Sequence, residues 1–357
     1  MSILVLTCAE RTLQANLEIL NKYGPFTGAA ELRADRLLPE ELPLLEKFPA
    51  MTPLPVILTI RRKADGGAWS GTEEERVRLL RENLSRKIEA RKGFAFTDVE
   101  EDIFLPVEEA AFRKAGGRII RSLYSFAGLP ENLLQRIGEG RKHPADIPKA
   151  AVKITSVRDL SRLFDISLDL RGDFILIGMG ETGIPFGILS GRLGCFLNFF
   201  SPEEKETAPG HFDPKTLEEV YRFSSINRDT RVFGIIGSPV LHTKSPLIHN
   251  AGLKALGMNA VYVPFPLPDT PEDLSGFLAL ARRIGVEALS VTIPFKEKIL
   301  PLLAASGAEV RAAGACNTVS IGPGGWEGNN FDIQGFLVPL RRALGRKISG
   351  LMCTVLG

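Results

Sequence analysis

Short apolar runs alternate with amphipathic stretches over the first two-thirds of the chain. The runs Ile3–Thr7, Ala29–Asp35, Pro55–Arg61, Ala95–Glu100, Arg118–Tyr124, Ala150–Thr155, Phe174–Met179 and Cys195–Phe199 predict strands. Between them, Arg11–Asn21, Glu73–Arg91 and Val157–Phe164 carry apolar residues at helical spacing. Eight strands alternating with helices predict an α/β fold, a (β/α)8 TIM barrel, with an open doubly wound sheet as the alternative. Alternate residues of a strand share a face. Glu31, Arg33 and Asp35 share one, Thr59 and Arg61 another, Asp98 and Glu100 a third, and Lys149, Ala151 and Lys153 a fourth. Charge placed late in four runs belongs at the C-terminal mouth of a barrel, where chemistry occurs. Any one pair reads most simply as a structural ion pair; convergence from four strands favours a site.

The pattern changes after Phe223. Ser224–Thr230 is short and polar and marks a boundary. A strand at Arg231–Ile236 follows, and Gly237-Ser238-Pro239 forces a turn. Ser245-Pro246 suits a helix start, a hydroxyl cap followed by Pro at the first helical position. A strand at Ala260–Phe265, a helix near Pro271–Ile284 and a strand at Ala288–Ile293 complete an α/β layer with crossover helices. Pro294 stops the third ladder and delivers Lys296 at its edge. A Gly-rich turn at Gly322–Gly325 and a helix at Asp332–Leu344 precede a final run, Leu351–Gly357, that reads as a strand meeting its first glycine. Three units are therefore expected: 1–225, 231–345, and 346–357 as the start of a third.

Composition narrows the function. A chain of 357 residues holds two domains, each expected to bury its own core. A net charge of +2 and the lack of a basic aromatic patch argue against nucleic acid. No apolar run is long enough to span a bilayer. The N-terminus has no basic flank, so no signal peptide and a cytoplasmic location are expected. Cys8, Cys195, Cys316 and Cys353 lack metal-ligand spacing; buried free thiols and no metal are expected. Nothing in the pattern specifies an oligomeric state.

Two segments carry candidate chemistry. In Ala145–Val152, a Lys within an apolar strand becomes a nucleophile toward a ketone when burial and a neighbouring cation lower its pKa. Lys153 is either that cation or itself the nucleophile; a lone strand Lys more usually snorkels to solvent. The loop Gly237–Asn250 exposes hydroxyls and a Lys, which suits a small polyhydroxylated acid, although an ordinary βα loop is the simpler reading. Likewise Lys296 reads as a solvated helix-start residue and Asp332 as an N-cap when each is taken alone.

The order of the motifs changes that weighting. Glu31–Asp35, Thr59-Ile60-Arg61 with Asp65-Gly66-Gly67, Asp98-Val99-Glu100, Ala145–Val152, Met179–Gly183 and Ala208-Pro209-Gly210 resemble a type I 3-dehydroquinate dehydratase. The resemblance implies a (β/α)8 barrel, a Schiff base between Lys149 and the substrate ketone, and substrate-binding roles for Glu31, Arg33 and Arg61. Gly237–Asn250, Val291–Lys296, Asn317-Thr318 and Asn330–Gly335 resemble the ordered motifs of shikimate dehydrogenases. That resemblance implies Lys296 and Asp332 as the catalytic pair, substrate binding by Thr243, Ser245, Thr292 and Asn317, and NADP as cofactor. Together they imply a bifunctional shikimate-pathway enzyme acting on 3-dehydroquinate, 3-dehydroshikimate and shikimate. Several positions depart from these patterns. Tyr124 stands where the dehydratases carry a general acid/base His, Gly187 where an Arg binds the substrate carboxylate, His211 for Gln and Asp65 for Glu. Thr243 replaces a Ser and Phe331 a Thr, which leaves quinate open as a substrate. Impaired dehydration is expected, since losing general acid/base help costs ~10²–10⁴-fold. The chain stops before any cofactor-binding residues, so hydride transfer is expected to fail in it. The competing class is a pseudoenzyme that binds ring acids without turnover.

Overall fold

The computed structural model describes residues 2–85, 93–202, 213–345 and the single positions 350, 352 and 354. The Ala208–Gly210 motif, His211 and most of the expected strand at Leu351–Gly357 lie outside these residues. Eight parallel strands form the first unit: β1 (Ile3–Cys8), β2 (Ala29–Arg33), β3 (Val56–Thr59), β4 (Phe96–Glu100), β5 (Arg118–Ser125), β6 (Ile147–Lys153), β7 (Ile175–Met179) and β8 (Leu197–Phe200). They pair in the order β7-β6-β5-β4-β3-β2-β1-β8. The ring is nearly closed: Phe196 N donates to Phe174 O at 2.8 Å, just ahead of β8 and β7.

Strand alternation sorts the barrel's side chains. Val5, Ala29, Ile57, Phe96, Ile120, Ile147, Ile175 and Leu197, one from each strand, form a buried apolar layer. Two positions further along the same faces come Thr7, Glu31, Thr59, Asp98, Ser122, Lys149, Ile177 and Phe199. The intervening residues, such as Leu6, Leu32, Leu58 and Val99, pack outward in a cluster that includes Leu13, Leu20, Leu80, Leu84 and Phe112 of the surrounding helices. Thr12 caps the helix Leu13–Tyr23 by accepting from Ala15 N, and Ser156 caps Val157–Asp169 by accepting from Asp159 N. One element escaped the sequence pattern: Pro39–Met51 is a 3₁₀ stretch whose internal Pro43 and Pro49 remove the donors an α-helix needs. β6 begins at Ile147, three residues before the expected start at Ala150, so Lys149 lies inside the strand.

The second unit is a six-stranded sheet. Its strands are β9 (Arg231–Gly237), β10 (Ala260–Pro266), β11 (Val286–Val291), β12 (Ala305–Ser306), β13 (Thr318–Gly322) and β14 (Gly325–Asn329), in the order β10-β9-β11-β13-β14-β12. β10, β9 and β11 are parallel, joined by the crossover helices Ser245–Ala255 and Pro271–Arg283; β13 is antiparallel to β11 and β14. The helix Ser245–Ala255 lacks the cap expected of Ser245. Ser245 is its first residue, and Thr243 Oγ1 accepts from Ser245 N at 3.2 Å.

Each unit buries apolar clusters of its own, as expected, and the two also share one. Phe164 and Leu163 of the barrel join Phe277, Leu278 and Phe265 in one continuous cluster. The helices Val157–Asp169 and Pro271–Arg283 meet there, tied by Val157 N to Asp273 Oδ1 at 2.8 Å and by Arg283 to Ser161 Oγ at 2.7 Å. The crossover helix thus covers the barrel's outer apolar face as well as its own sheet. Among the described residues no helix is long and apolar enough to cross a membrane, and no group of three or more His, Cys, Asp or Glu could hold a metal ion.

Candidate functional site

Inside the barrel, the layer above the apolar floor is an ion cluster around Lys149. The Lys149 side chain is 2% exposed, and Nζ donates to Asp98 Oδ2 at 2.7 Å with Glu31 Oε1 at 3.8 Å. The Arg61 guanidinium reaches the same two carboxylates, at 3.6 Å from Glu31 and 4.0 Å from Asp98. Thr7 and Thr59 hydroxyls donate to the two oxygens of Glu31 at 2.9 and 2.8 Å, and Ser122 donates to Asp98. Aromatic rings close the sides. Lys149 Nζ lies 4.1 Å from the Phe199 ring centroid and 5.7 Å from that of Tyr124, and Arg61 stacks over Tyr124 at 4.2 Å.

Of the expected barrel residues, the structure gathers Lys149, Glu31 and Arg61. Arg33 is engaged elsewhere, in a bidentate pair with Asp35 at 2.9 and 2.8 Å. Glu100, expected toward the cavity with Asp98, pairs instead with Arg76 of the covering helix Glu73–Ser85 at 2.8 Å. It ends its strand, where the pleat no longer dictates direction. Lys153 is exposed, which leaves Lys149 as the buried amine. Asp98, Thr7, Thr59, Ser122 and Phe199 complete the cluster; the same period-two alternation that placed Glu31 and Lys149 marks each of them.

The electrostatics correct one expectation. Burial works against the Lys149 charge, but Asp98 foremost and Glu31 among its neighbours outweigh it, so its pKa lies above the usual lysine value. The nearby cation is Arg61, and it is overcome. Burial likewise pushes the Glu31 carboxyl up, while Lys149, Arg61 and Arg33 more than offset this and bring it down to about 2. Burial, then the Asp98 charge, pushes the Tyr124 phenol up to about 12. The buried Tyr124 hydroxyl and Arg61 Nε have no hydrogen-bond partner among the described residues. At the positions noted as departures, Gly187 offers a carbonyl that accepts from Asn198, and Asp65 is paired with Arg62.

The second site gathers at the C-terminal edge of β9 and β11. Lys296 Nζ donates to Asp332 Oδ2 at 2.6 Å, and Asn317 Nδ2 donates to Asp332 Oδ1 at 2.7 Å. Asn317 Oδ1 in turn accepts from Phe331 N and Thr318 Oγ1, both at 3.0 Å, so its amide orientation is fixed. Asp332 is not an N-cap. It is the first helical residue, and its N–H donates to Asn330 Oδ1 at 3.0 Å. The hydrogen bond from Lys296 foremost, aided by that from Asn317, holds the Asp332 carboxyl below its usual value. Thr243 and Ser245 hydroxyls lie 3.0 Å apart. Their loop is tied to Thr292 at its base: Ser238 N donates to Ile293 O at 3.0 Å, and a Cβ on Gly237 would come within 2.6 Å of Thr292 Cγ2. Asn250 braces the helix against β10, donating to Tyr262 O and accepting from Tyr262 N.

Residues 4–228 match the type I 3-dehydroquinase family. The chain belongs to that family. Behind its type I dehydroquinase barrel, residues 235–319 match the shikimate dehydrogenase substrate binding domain. The chain is similar to the bifunctional 3-dehydroquinate dehydratase/shikimate dehydrogenase, chloroplastic, of Arabidopsis thaliana, 32% identical over 273 residues, which are 75% of this chain and 44% of that protein. It is also similar to the shikimate dehydrogenase (NADP(+)) of Trichormus variabilis, 43% identical over 132 residues, 37% of this chain and 45% of that one. The barrel resembles the 3-dehydroquinate dehydratase structure from Aquifex aeolicus, with a TM-score of 0.52, 26% identity, and coverage of 61% of this chain and 96% of that one. The chain spans less than half the length of these two curated relatives.

Neither glycine-rich turn among the described residues fits a dinucleotide. The Gly322–Gly325 turn joins the antiparallel strands β13 and β14, so no helix N-terminus follows it to meet a pyrophosphate. Gly178-x-Gly180-x-x-Gly183 has the spacing of a dinucleotide turn. Its helix, however, is only Ile184–Ile188, and a Cβ on Gly183 would lie 2.3 Å from Gly178 O, so these glycines serve local packing.

Proposed function

We propose that the chain acts in the shikimate pathway by holding cyclic polyhydroxy acids at two sites, with imine chemistry in the barrel. The observation that carries this reading is Lys149 itself: a buried amine inside the barrel, hydrogen-bonded to Asp98, beside Arg61 and Glu31. Imine formation with the ketone of 3-dehydroquinate requires the ammonium first to lose a proton, and Asp98 at 2.7 Å is the adjacent acceptor. The amine then adds to the carbonyl carbon, and water leaves as the C=N bond forms. The unpartnered Tyr124 hydroxyl and Arg61 Nε supply polar atoms for the ring substituents. Glu31, Arg33 and Arg61 are assigned to substrate binding, Arg33 by charge rather than by contact.

In the second domain, Lys296 and Asp332 take the proton-relay role at the alcohol or ketone of shikimate and 3-dehydroshikimate. Thr243, Ser245, Thr292 and Asn317 bind the carboxylate and ring hydroxyls. Hydride transfer from NADP(H) is assigned to the whole protein rather than to the residues described. The domain division is placed within residues 226–230.

A second reading has support from Tyr124. A buried phenol with a pKa of about 12 is a poor base, and Gly187 brings no cation to a carboxylate. On that reading the barrel captures ring acids without turning them over. Borohydride reduction in the presence of 3-dehydroquinate, followed by peptide mass mapping, tests the first claim. A reduced adduct on Lys149, absent in Lys149→Met, is expected. No adduct, or one on another lysine, would remove imine chemistry from the barrel and leave the binding reading.

A further inference from the structure

We infer that the junction between the barrel and the second domain is a binding site for a small phosphate-type dianion. A cleft of about 590 Å³ opens there, away from both ion-pair clusters. Four arginines line it, against one carboxylate: Arg171 and Arg192 come from the barrel, Arg228 from the connecting segment, and Arg283 from the second domain, with Asp165 as the acid.

Among the described residues only Arg283 is neutralised, by Asp165 at 3.0 Å. Arg171, just past the helix Val157–Asp169, donates to the backbone carbonyls of Leu168 and Leu170 and meets no carboxylate among the described residues. Arg192 is half-buried. Its Nε donates to Thr230 O at 3.0 Å, and its terminal nitrogens have no partner among the described residues. Arg228 has no hydrogen-bond or ionic partner among them either.

The left-handed Gly285 leaves room for one of these guanidiniums close to the backbone: a Cβ there would come 3.1 Å from Arg192 Nη2. Arg228 lies beside Gly194, within ordinary contact distance of where a Cβ would be. A protein ordinarily meets a half-buried guanidinium with a carboxylate. Here burial alone acts on Arg192 and lowers its pKa. Cations approaching from three separate segments suit a tetrahedral oxyanion, which accepts in every direction, better than a planar carboxylate. Such a ligand would also bridge the two domains.

The test is calorimetric titration of the full chain with inorganic phosphate and pyrophosphate, with malonate and with chloride at matched ionic strength. Saturable binding of phosphate or pyrophosphate is expected, tighter than that of malonate. Arg228→Gln, which breaks no hydrogen bond or ion pair among the described residues, is expected to weaken it ~10-fold, as is Arg192→Gln where that variant folds. Asp165→Asn is expected to strengthen it by releasing Arg283. Heats no larger than those of chloride, malonate binding as tightly as phosphate, or an unchanged affinity in Arg228→Gln would overturn the proposal. So would loss of binding in Arg61→Gln or Lys296→Gln, which would place the anion in a ring-acid site.

Discussion

Replacing Tyr124 by His tests the departure expected to weigh most on dehydration in this barrel. With its pKa raised to about 12, the Tyr124 phenol is ionised in only ~10⁻⁵ of molecules at about pH 7. An imidazole with an ordinary pKa of about 6.5 is mostly neutral and able to accept a proton there. The geometry accepts the exchange. The Tyr124 ring centroid is 5.7 Å from Lys149 Nζ, so an imidazole in the same place sits within one substrate carbon of an imine formed on that lysine. Arg61 at 4.2 Å would stack on the smaller ring and favour its neutral form. General acid/base help is worth ~10²–10⁴-fold, which sets the expected gain in kcat for Tyr124→His. KM is expected to stay high, because Gly187 brings no cation to the substrate carboxylate. The assay is continuous formation of the conjugated enone of 3-dehydroshikimate, with borohydride trapping run in parallel. If trapping at Lys149 persists but Tyr124→His shows no increase in kcat, a missing base is not what limits the barrel. A wild-type rate already within 10-fold of the variant would refute the reasoning equally.

Lys149→Met leaves Asp98 and Glu31 buried with the more distant Arg61, and for Glu31 also Arg33, as counter-charge. A loss of ~3–5 kcal/mol is expected, seen as a fall in the barrel's Tm of roughly 6 °C or more; a change under about 1 kcal/mol would show that these arginines suffice. Acid should act through Glu31. Its folded pKa of about 2 lies below its unfolded value, so its contribution is present above about pH 4.5 and is lost as pH falls toward 2. That contribution is of order 3 kcal/mol, and Glu31→Gln is expected to flatten the acid limb of urea-unfolding stability against pH. An unchanged limb would place the acid sensitivity elsewhere.

Much of this protein is local and therefore legible along the chain. Alternation within each strand already puts Glu31, Asp98 and Lys149 on inward faces, because the pleat reverses side-chain direction at every residue. Pro294 and the Asn330-Phe331-Asp332 segment likewise announce where a strand stops and a helix begins. Other features depend on what neighbouring strands bring. Glu100 shares the parity of Asp98, yet it turns to Arg76, a partner twenty-four residues away that only helix packing supplies. The sign of the Lys149 shift reverses for the same reason. One strand shows a lysine among apolar residues, which argues for a depressed pKa, whereas the closed ring sets two carboxylates against it. The shared core and the arginine-lined cleft belong to neither unit alone. Periodicity specifies which way a side chain faces, but Coulomb energy and burial depend on distances between segments far apart in the chain, and only the folded packing fixes those.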